Sequence, residues 1–142
     1  MTSRTLAKKT AEFALSKKAN DVVILDVRKL TSTADFFVIC SADSDTQVRA
    51  IADAVEQESE NMGAPVWHSE GLHASTWVIL DFVDVVVHVF HRESRSYYNL
   101  ERLWGDAKIT AVEDEVKPAT VARKSKKPRV KPRAPRKRTG KE

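Results

Sequence analysis

The final 26 residues of this 142-residue chain most constrain what it can fold into. Residues 117–142 contain no aromatic residue, Leu or Ile, and they carry four of the five prolines. Such a segment cannot bury enough apolar surface to offset the chain entropy lost on ordering. We therefore predict one domain in residues 1–110 and a disordered basic tail in residues 111–142.

The net charge of +4 conceals two unlike parts of the chain. Residues 117–142 hold 12 Lys or Arg and one acidic residue, which leaves 12 basic and 19 acidic residues among 1–116. The tail is either a solubilising appendage or an RNA contact made through phosphate groups and counterion release. No aromatic side chains are present to stack on bases. The candidate RNA contacts are Arg123, Lys124, Lys126, Lys127, Arg129, Lys131, Arg133, Arg136, Lys137 and Arg138.

Several classes of protein are disfavoured by simple counts. No apolar run approaches the roughly 20 residues of a membrane-spanning helix, and no apolar stretch near Met1 resembles a secretion signal. The single cysteine, Cys40, cannot form an internal disulfide and ends an apolar run, which favours a buried, inert thiol. We expect a cytoplasmic protein that does not contact a membrane and has no cofactor.

The hydrophobic pattern predicts an α/β fold with the element order αββαβββα. Ser44 and Gln47 form a capping box that begins the second helix, and Gly63 ends it. A strand, a helix and a strand in sequence indicate that part of the sheet is parallel. We predict a mixed sheet of about five strands with flanking helices. The predicted strands are 22–27, 36–40, 66–69, 77–80 and 85–90, the first helix is 5–18, and Tyr97, Leu100 and Trp104 mark the packed face of the last helix.

The fourth and fifth predicted strands are joined by residues 81–84, a link so short that it requires an antiparallel hairpin. Alternation places Trp77 and Ile79 on one face of the strand and Val78 on the other. Trp77 is either a core tryptophan or an exposed aromatic anchor for a partner protein. Asp81 and Asp84 are either turn residues or an acidic rim for a basic partner surface.

Two groups of residues could indicate a metal site. Asp43 and Asp45 have the spacing of a magnesium-binding pair, but they lie where a helix start favours acidic and capping residues. Alternation points His88 away from Val87 and Val89. We expect the histidines to be satisfied within the fold or solvent-facing, because no zinc-type spacing links them; they are His68, His73, His88 and His91.

Residues 34–55 and 73–107 resemble the Iojap family of ribosomal silencing factors. The run VVVHVF followed by YYNLERLWGDA carries most of the resemblance, which extends over residues 5–108. It implies a single domain similar to nucleotidyltransferases that is not an enzyme. It also implies binding to the large ribosomal subunit through the universal ribosomal protein fourteen, which blocks association with the small subunit and represses translation when nutrients are scarce. A second copy of the chain is a further candidate partner.

The resemblance places the ribosomal contact on Trp77, Val78 and Ile79, with Asp81 and Asp84 nearby. Val78 ranks lowest, because alternation turns it away from its two neighbours.

This sequence departs from the family pattern at the hairpin turn, where the family commonly has Asp-Tyr-Gly-Asp. Phe82 and Val83 occupy the two central positions here, and a β-branched residue resists positive φ. We therefore expect a longer turn or one of a different type. The basic tail has no counterpart in the usual family domain.

An active nucleotidyltransferase is the alternative function. That chemistry needs a Gly-Ser turn followed by spaced carboxylates that hold magnesium. The four glycines, at positions 63, 71, 105 and 140, supply no such turn before an acidic pair. A generic RNA-binding domain would instead have a basic folded body, whereas residues 1–116 are acidic.

Overall fold

A computed structural model describes residues 1–113 of the protein, and most of the predicted tail lies outside this range. The predicted order of the first eight elements is confirmed, and a short helix and a strand follow them. The third strand begins two residues later than expected, at His68. The elements are α1 (Ser3–Ser16), β1 (Asn20–Asp26), β2 (Phe36–Ala42), α2 (Asp45–Asn61), β3 (His68–Glu70), β4 (Trp77–Asp81), β5 (Val85–His91), α3 (Arg92–Tyr98), α4 (Leu100–Leu103) and β6 (Lys108–Ala111).

The strands form one mixed sheet in the order β3-β4-β5-β2-β1-β6. The β2 and β5 strands are parallel, and every other neighbouring pair is antiparallel. The mixed sheet is as predicted, but the expected count of five strands is wrong. The sixth, β6, is four exposed residues paired with the outer edge of β1, where Ile109 lies opposite Leu25. The similarity to nucleotidyltransferases stays a prediction.

The start of α2 shows how local sequence sets the fold. The hydroxyl of Ser44 accepts a hydrogen bond from the backbone N–H of Gln47 at 3.1 Å, and Asp45 lies in the first turn, where a negative charge is favourable. The Ser44 half of the predicted capping box is confirmed, but the side chain of Gln47 donates to the carbonyl groups of Lys17 and Lys18, at 3.4 and 3.1 Å, and not back to Ser44. Helix α2 then buries Val48 and Ile51 against the sheet.

The two faces of the sheet are covered unequally. Helices α1 and α2 pack on one face and enclose the larger core, which includes Ala7, Ala11, Val38, Val48, Ile51, Val55, Val78, Leu80, Val87 and Val89. On the opposite face α3 and α4 cover a smaller core formed by Leu25, Val27, Ala34, Ile39, Phe90 and Leu100. Half-buried residues surround that smaller core, among them Phe37, Trp77, Val86 and Trp104.

The last predicted helix is divided into α3 and α4 at Asn99, which has φ +48°. Asn tolerates this left-handed conformation, and its side chain caps α4 by accepting from the N–H of Arg102 at 3.3 Å. The predicted packed face is therefore wrong at Tyr97, which is 82% exposed, while Leu100 is buried and Trp104 half-buried.

Arg95 fastens α3 to the sheet. Its guanidinium donates to the carboxylate of Glu101 at 2.6 and 3.2 Å, to the hydroxyl of Ser41 at 3.2 Å and to the carbonyl of Asn20 at 3.3 Å. These bonds join two helices to the ends of β1 and β2.

No helix within residues 1–113 has both the length and the apolar character needed to cross a membrane.

Candidate functional site

Strand β4 carries four of the five predicted partner contacts, Trp77, Val78, Ile79 and Asp81. Trp77, Ile79 and Asp81 alternate with Val78 and Leu80, and only the first three are partly accessible. Val78 and Leu80 are fully buried under the helices. The predicted alternation is confirmed, and in this fold the side chain of Val78 lies beneath the surface.

We define the β4 face as Trp77, Ile79 and Asp81 together with their β3 neighbours His68 and Glu70. In the antiparallel register His68 lies opposite Asp81, and Glu70 lies opposite Ile79. The ring of His68 contacts the carboxylate of Glu70, with Nε2 and Oε2 2.9 Å apart. The β4 face therefore has an apolar centre flanked by carboxylates.

Trp77 is held by aromatic neighbours on one side and left accessible on the other. Its indole N–H donates to Nδ1 of His88 at 3.1 Å. Its ring centroid lies 5.0 Å from that of Phe90 and 4.5 Å from that of Tyr98. Each of the two interpretations of Trp77 is met in part, because the residue is anchored in a cluster and still reaches the surface.

His88 lies on the same side of the sheet as Trp77, opposite Val87 and Val89, as predicted. The residue is 7% exposed, and this burial lowers the pKa of its imidazole to about 4. The ring is therefore neutral at neutral pH. Its other nitrogen, Nε2, is buried and has no hydrogen-bond partner within residues 1–113, so the expectation of a satisfied or solvent-facing histidine is wrong at this atom.

The β4–β5 turn takes an unusual form. Val83 has φ +77°, and the N–H of Asp84 donates to the carbonyl of Phe82 at 3.0 Å, which is a γ-turn with a positive φ at its centre. The turn is not longer than expected for the family pattern, and the expectation that a β-branched residue would keep this position out of positive φ is wrong, because Val83 itself takes the strained conformation. Asp81 stabilises the turn by accepting from the N–H of Val83 at 2.8 Å, as a turn aspartate does.

Asp84 has an exposed side chain at this turn, three residues after Asp81 of the β4 face. Its carbonyl oxygen accepts from the N–H groups of Asp35, at 2.7 Å, and Phe36, at 3.2 Å. The backbone of Asp84 therefore joins the hairpin to the start of β2.

Other exposed apolar residues were missed by the sequence analysis. Trp67 is 71% exposed at the sheet edge, with its ring beside that of His68. Its backbone N–H donates to the carbonyl of Asp81. Leu103 of α4 is equally exposed. Trp67 lies two residues after Pro65 and directly before a three-residue strand, a run too short for periodicity to mark it as external.

The remaining candidate residues have local structural roles. No group of three or more metal-binding side chains occurs within the described range. His91 accepts from the N–H of Glu93 at 3.3 Å and caps α3. Burial raises the pKa of the Cys40 thiol to about 12, so the nucleophilic thiolate is not formed at neutral pH.

A groove of about 1460 Å³ lies at the other end of the sheet, between α1, β1 and β6. The guanidinium groups of Arg4 and Arg28 lie 5.3 and 5.1 Å from the ring centroid of Phe36. Hydrogen bonds from Arg28 hold the pKa of Asp26 at about 2. The groove thus has paired charges over an apolar floor. The ten candidate RNA contacts of the tail lie beyond residue 113, outside the described residues.

The sequence of this chain is similar to that of a known protein family. The family model described as "Ribosomal silencing factor during starvation" (RsfS) matches residues 1–139. The match includes most of the basic tail, for which no counterpart in the family was expected. The ribosomal silencing factor RsfS of Bacillus subtilis is 43% identical over 109 residues, which is 77% of this chain and 92% of that protein. The chloroplastic protein Iojap of Zea mays is 38% identical over 103 residues, covering 72% of this chain and 43% of that protein.

Two solved structures are similar to this chain in both fold and sequence. A crystal structure of a Chromobacterium violaceum protein, 34% identical, matches with a TM-score of 0.73 over 84% of this chain and 100% of that one. A Bacillus halodurans protein, 39% identical, matches with a TM-score of 0.62 over 78% of this chain and 95% of that one. The chain therefore belongs to the RsfS family of ribosomal silencing factors.

Proposed function

We propose that this protein binds the large ribosomal subunit through the universal ribosomal protein fourteen and sterically prevents the small subunit from joining. Translation is thereby repressed under nutrient limitation. The observation that carries the proposal is the β4 face, an apolar centre with an acidic border in a chain of the RsfS family. The role is one of occupancy in the cytoplasm and includes no catalytic step.

The chemistry of the β4 face favours a basic protein partner with a small apolar area. Trp77 and Ile79 offer apolar surface on a rigid strand, and aromatic residues on rigid elements are typical centres of protein interfaces. Asp81 and Glu70 border that surface, and Asp84 stands at the adjacent turn. Residues 1–116 also carry a net acidic excess, and net charge opposite to that of a basic partner favours rapid encounter.

The tail complements this arrangement with charge of the opposite sign. We propose that its Lys and Arg residues contact phosphate groups of ribosomal RNA while the domain binds protein. A chain ending at residue 113 should then bind with a shallower dependence of log Kd on log salt than the full chain. An identical slope for both chains would show that the tail contributes no phosphate contact.

The direct test of the interface compares variants of Trp77 in co-sedimentation with purified large subunits. Trp77→Ala should weaken binding by roughly 2 kcal/mol, or about 30-fold, if Trp77 is a central contact. Leu30→Ala is a suitable control, because Leu30 is an exposed apolar residue at the groove, on the far side of the sheet. Wild-type affinity in a folded Trp77→Ala variant would remove Trp77 from the interface.

A further inference from the structure

The hydrogen bond between Trp77 and His88 joins two strands along a diagonal. In the β4–β5 register Trp77 lies opposite Phe90, and His88 lies opposite Ile79. The indole of Trp77 therefore leans along the sheet toward Ile79 to reach Nδ1 of His88 at 3.1 Å. This bond fixes the direction in which the indole is presented on the β4 face.

The bond also determines the tautomer of His88. An indole N–H can only donate, so the Nδ1 atom that accepts from it carries no proton. A neutral imidazole then has its proton on Nε2, the buried atom that lacks a partner within residues 1–113. An unpaired buried N–H is unfavourable, so packing alone gives no reason for histidine here. What histidine adds is an acceptor for Trp77.

We infer that His88 is a positioning residue that holds Trp77 in the orientation offered to the partner. This inference rests on the proposed function and adds to it a buried residue that does not itself touch the partner. A side chain already fixed in its bound orientation loses less conformational freedom on association. The indole N–H is also satisfied inside the fold, so it needs no acceptor from the partner.

Two substitutions separate the hydrogen bond from ring packing. His88→Phe keeps an aromatic ring between Phe37 and Phe90 but removes the acceptor. His88→Asn loses the ring but places an amide oxygen near the position of Nδ1. Phe37→Leu is the control for stability. Phe37 makes an edge contact with His88, at 5.2 Å between ring centroids. It lies on β2, whereas Trp77 lies on β4, on the other side of His88.

Two measurements on these full-length variants test the inference: binding to purified large ribosomal subunits, and hydrogen exchange of the Trp77 indole N–H in the free protein by NMR. We expect His88→Phe to weaken binding about three- to tenfold and to accelerate indole exchange about tenfold, the effect of one lost hydrogen bond. His88→Asn should restore much of both losses despite its poorer packing. Phe37→Leu should lower the melting temperature and leave both readouts near wild type.

Wild-type affinity in His88→Phe would overturn the inference. It would also be overturned if all three variants lost affinity in proportion to their stability, since His88 would then be a packing residue. Failure of the wild-type chain to bind the large subunit would instead overturn the proposed function. In that case the indole exchange rates still decide whether His88 holds Trp77.

Discussion

The backbone of Gly71 lies so close to the carbonyl group of Trp77 that a Cβ atom at position 71 would overlap its oxygen. Gly71 also has φ +85°, a conformation that side chains disfavour. The loop that leads into β4 can therefore pass this point only with glycine, and the position of Trp77 depends on it.

We predict that Gly71→Ala destabilises the protein by about 3 kcal/mol, since backbone strain and overlap with the β4 backbone add together. Urea denaturation measures the change. Gly63→Ala is the matched control, because Gly63 has φ +89° with no atom near the added Cβ, and it should cost only about 1 kcal/mol. Equal losses in the two variants would contradict the close approach of Gly71 to Trp77.

Val83→Gly should stabilise the protein. Val83 has φ +77° at the centre of the γ-turn, and the release of about 1–3 kcal/mol of strain outweighs the roughly 0.5–1 kcal/mol by which glycine favours the unfolded chain. We expect a net gain of about 1 kcal/mol in thermal or urea unfolding. Val83→Ala retains a Cβ atom and should give no such gain, so equal stabilisation by both variants would show that strain at Val83 is not the cause.

Stability should fall with acid between pH 6.5 and 4 because of His88. Burial lowers its pKa to about 4 in the folded protein, whereas the unfolded value is about 6.5. The unfolded chain therefore binds the proton first, and stability that is complete above pH 6.5 is lost as the pH falls toward 4. The full effect is about 3 kcal/mol.

Urea denaturation at pH 7 and pH 4.5 measures this dependence, and His88→Phe should remove most of it. Asp26 adds little at pH 4.5, because its own contribution to stability is lost mainly between its unfolded pKa of about 4 and the folded pKa of about 2 that hydrogen bonds from Arg28 give it. The same slope in wild type and His88→Phe would assign the effect to other groups.

Asp81→Asn tests the acidic border without disturbing the turn. The amide oxygen can still accept from the N–H of Val83, so stability should change by less than about 0.5 kcal/mol. Loss of the charge should weaken binding to the large subunit about two- to fivefold at low salt and reduce its salt dependence. Asp106→Asn, at the distant groove, should leave binding unchanged, and an unchanged affinity in Asp81→Asn would remove the carboxylate from the interface.

Much of the fold follows from local pattern in the sequence. Alternation along β4 separates Trp77 from Val78, and the Ser44 cap fixes the start of α2. The strand that was not predicted, β6, has four exposed residues and is held in the sheet by its pairing with β1. Ile109 and Thr110 are strand-forming residue types, but four residues are too few for a hydrophobic pattern to distinguish an edge strand from a loop.

The aromatic arrangement at the site depends on tertiary structure in the same way. Helical spacing predicts that Tyr97 is packed, but the left-handed Asn99 ends the helix and leaves Tyr97 exposed. Alternation alone places His88 on the correct side of β5. Its pairing with Trp77 depends on the exact β4–β5 register, which is set by the γ-turn at Val83, and the sequence analysis did not determine that turn.

The central claim, that the protein acts by occupying a docking surface, is tested most directly by subunit joining on sucrose gradients. Purified small and large subunits are mixed with saturating full-length protein, with the Trp77→Ala variant, or with neither. We predict that the wild-type protein migrates with the large subunit and depletes the joined ribosome, and that the variant does so much less. Normal formation of the joined ribosome at saturating wild-type protein would contradict the claim.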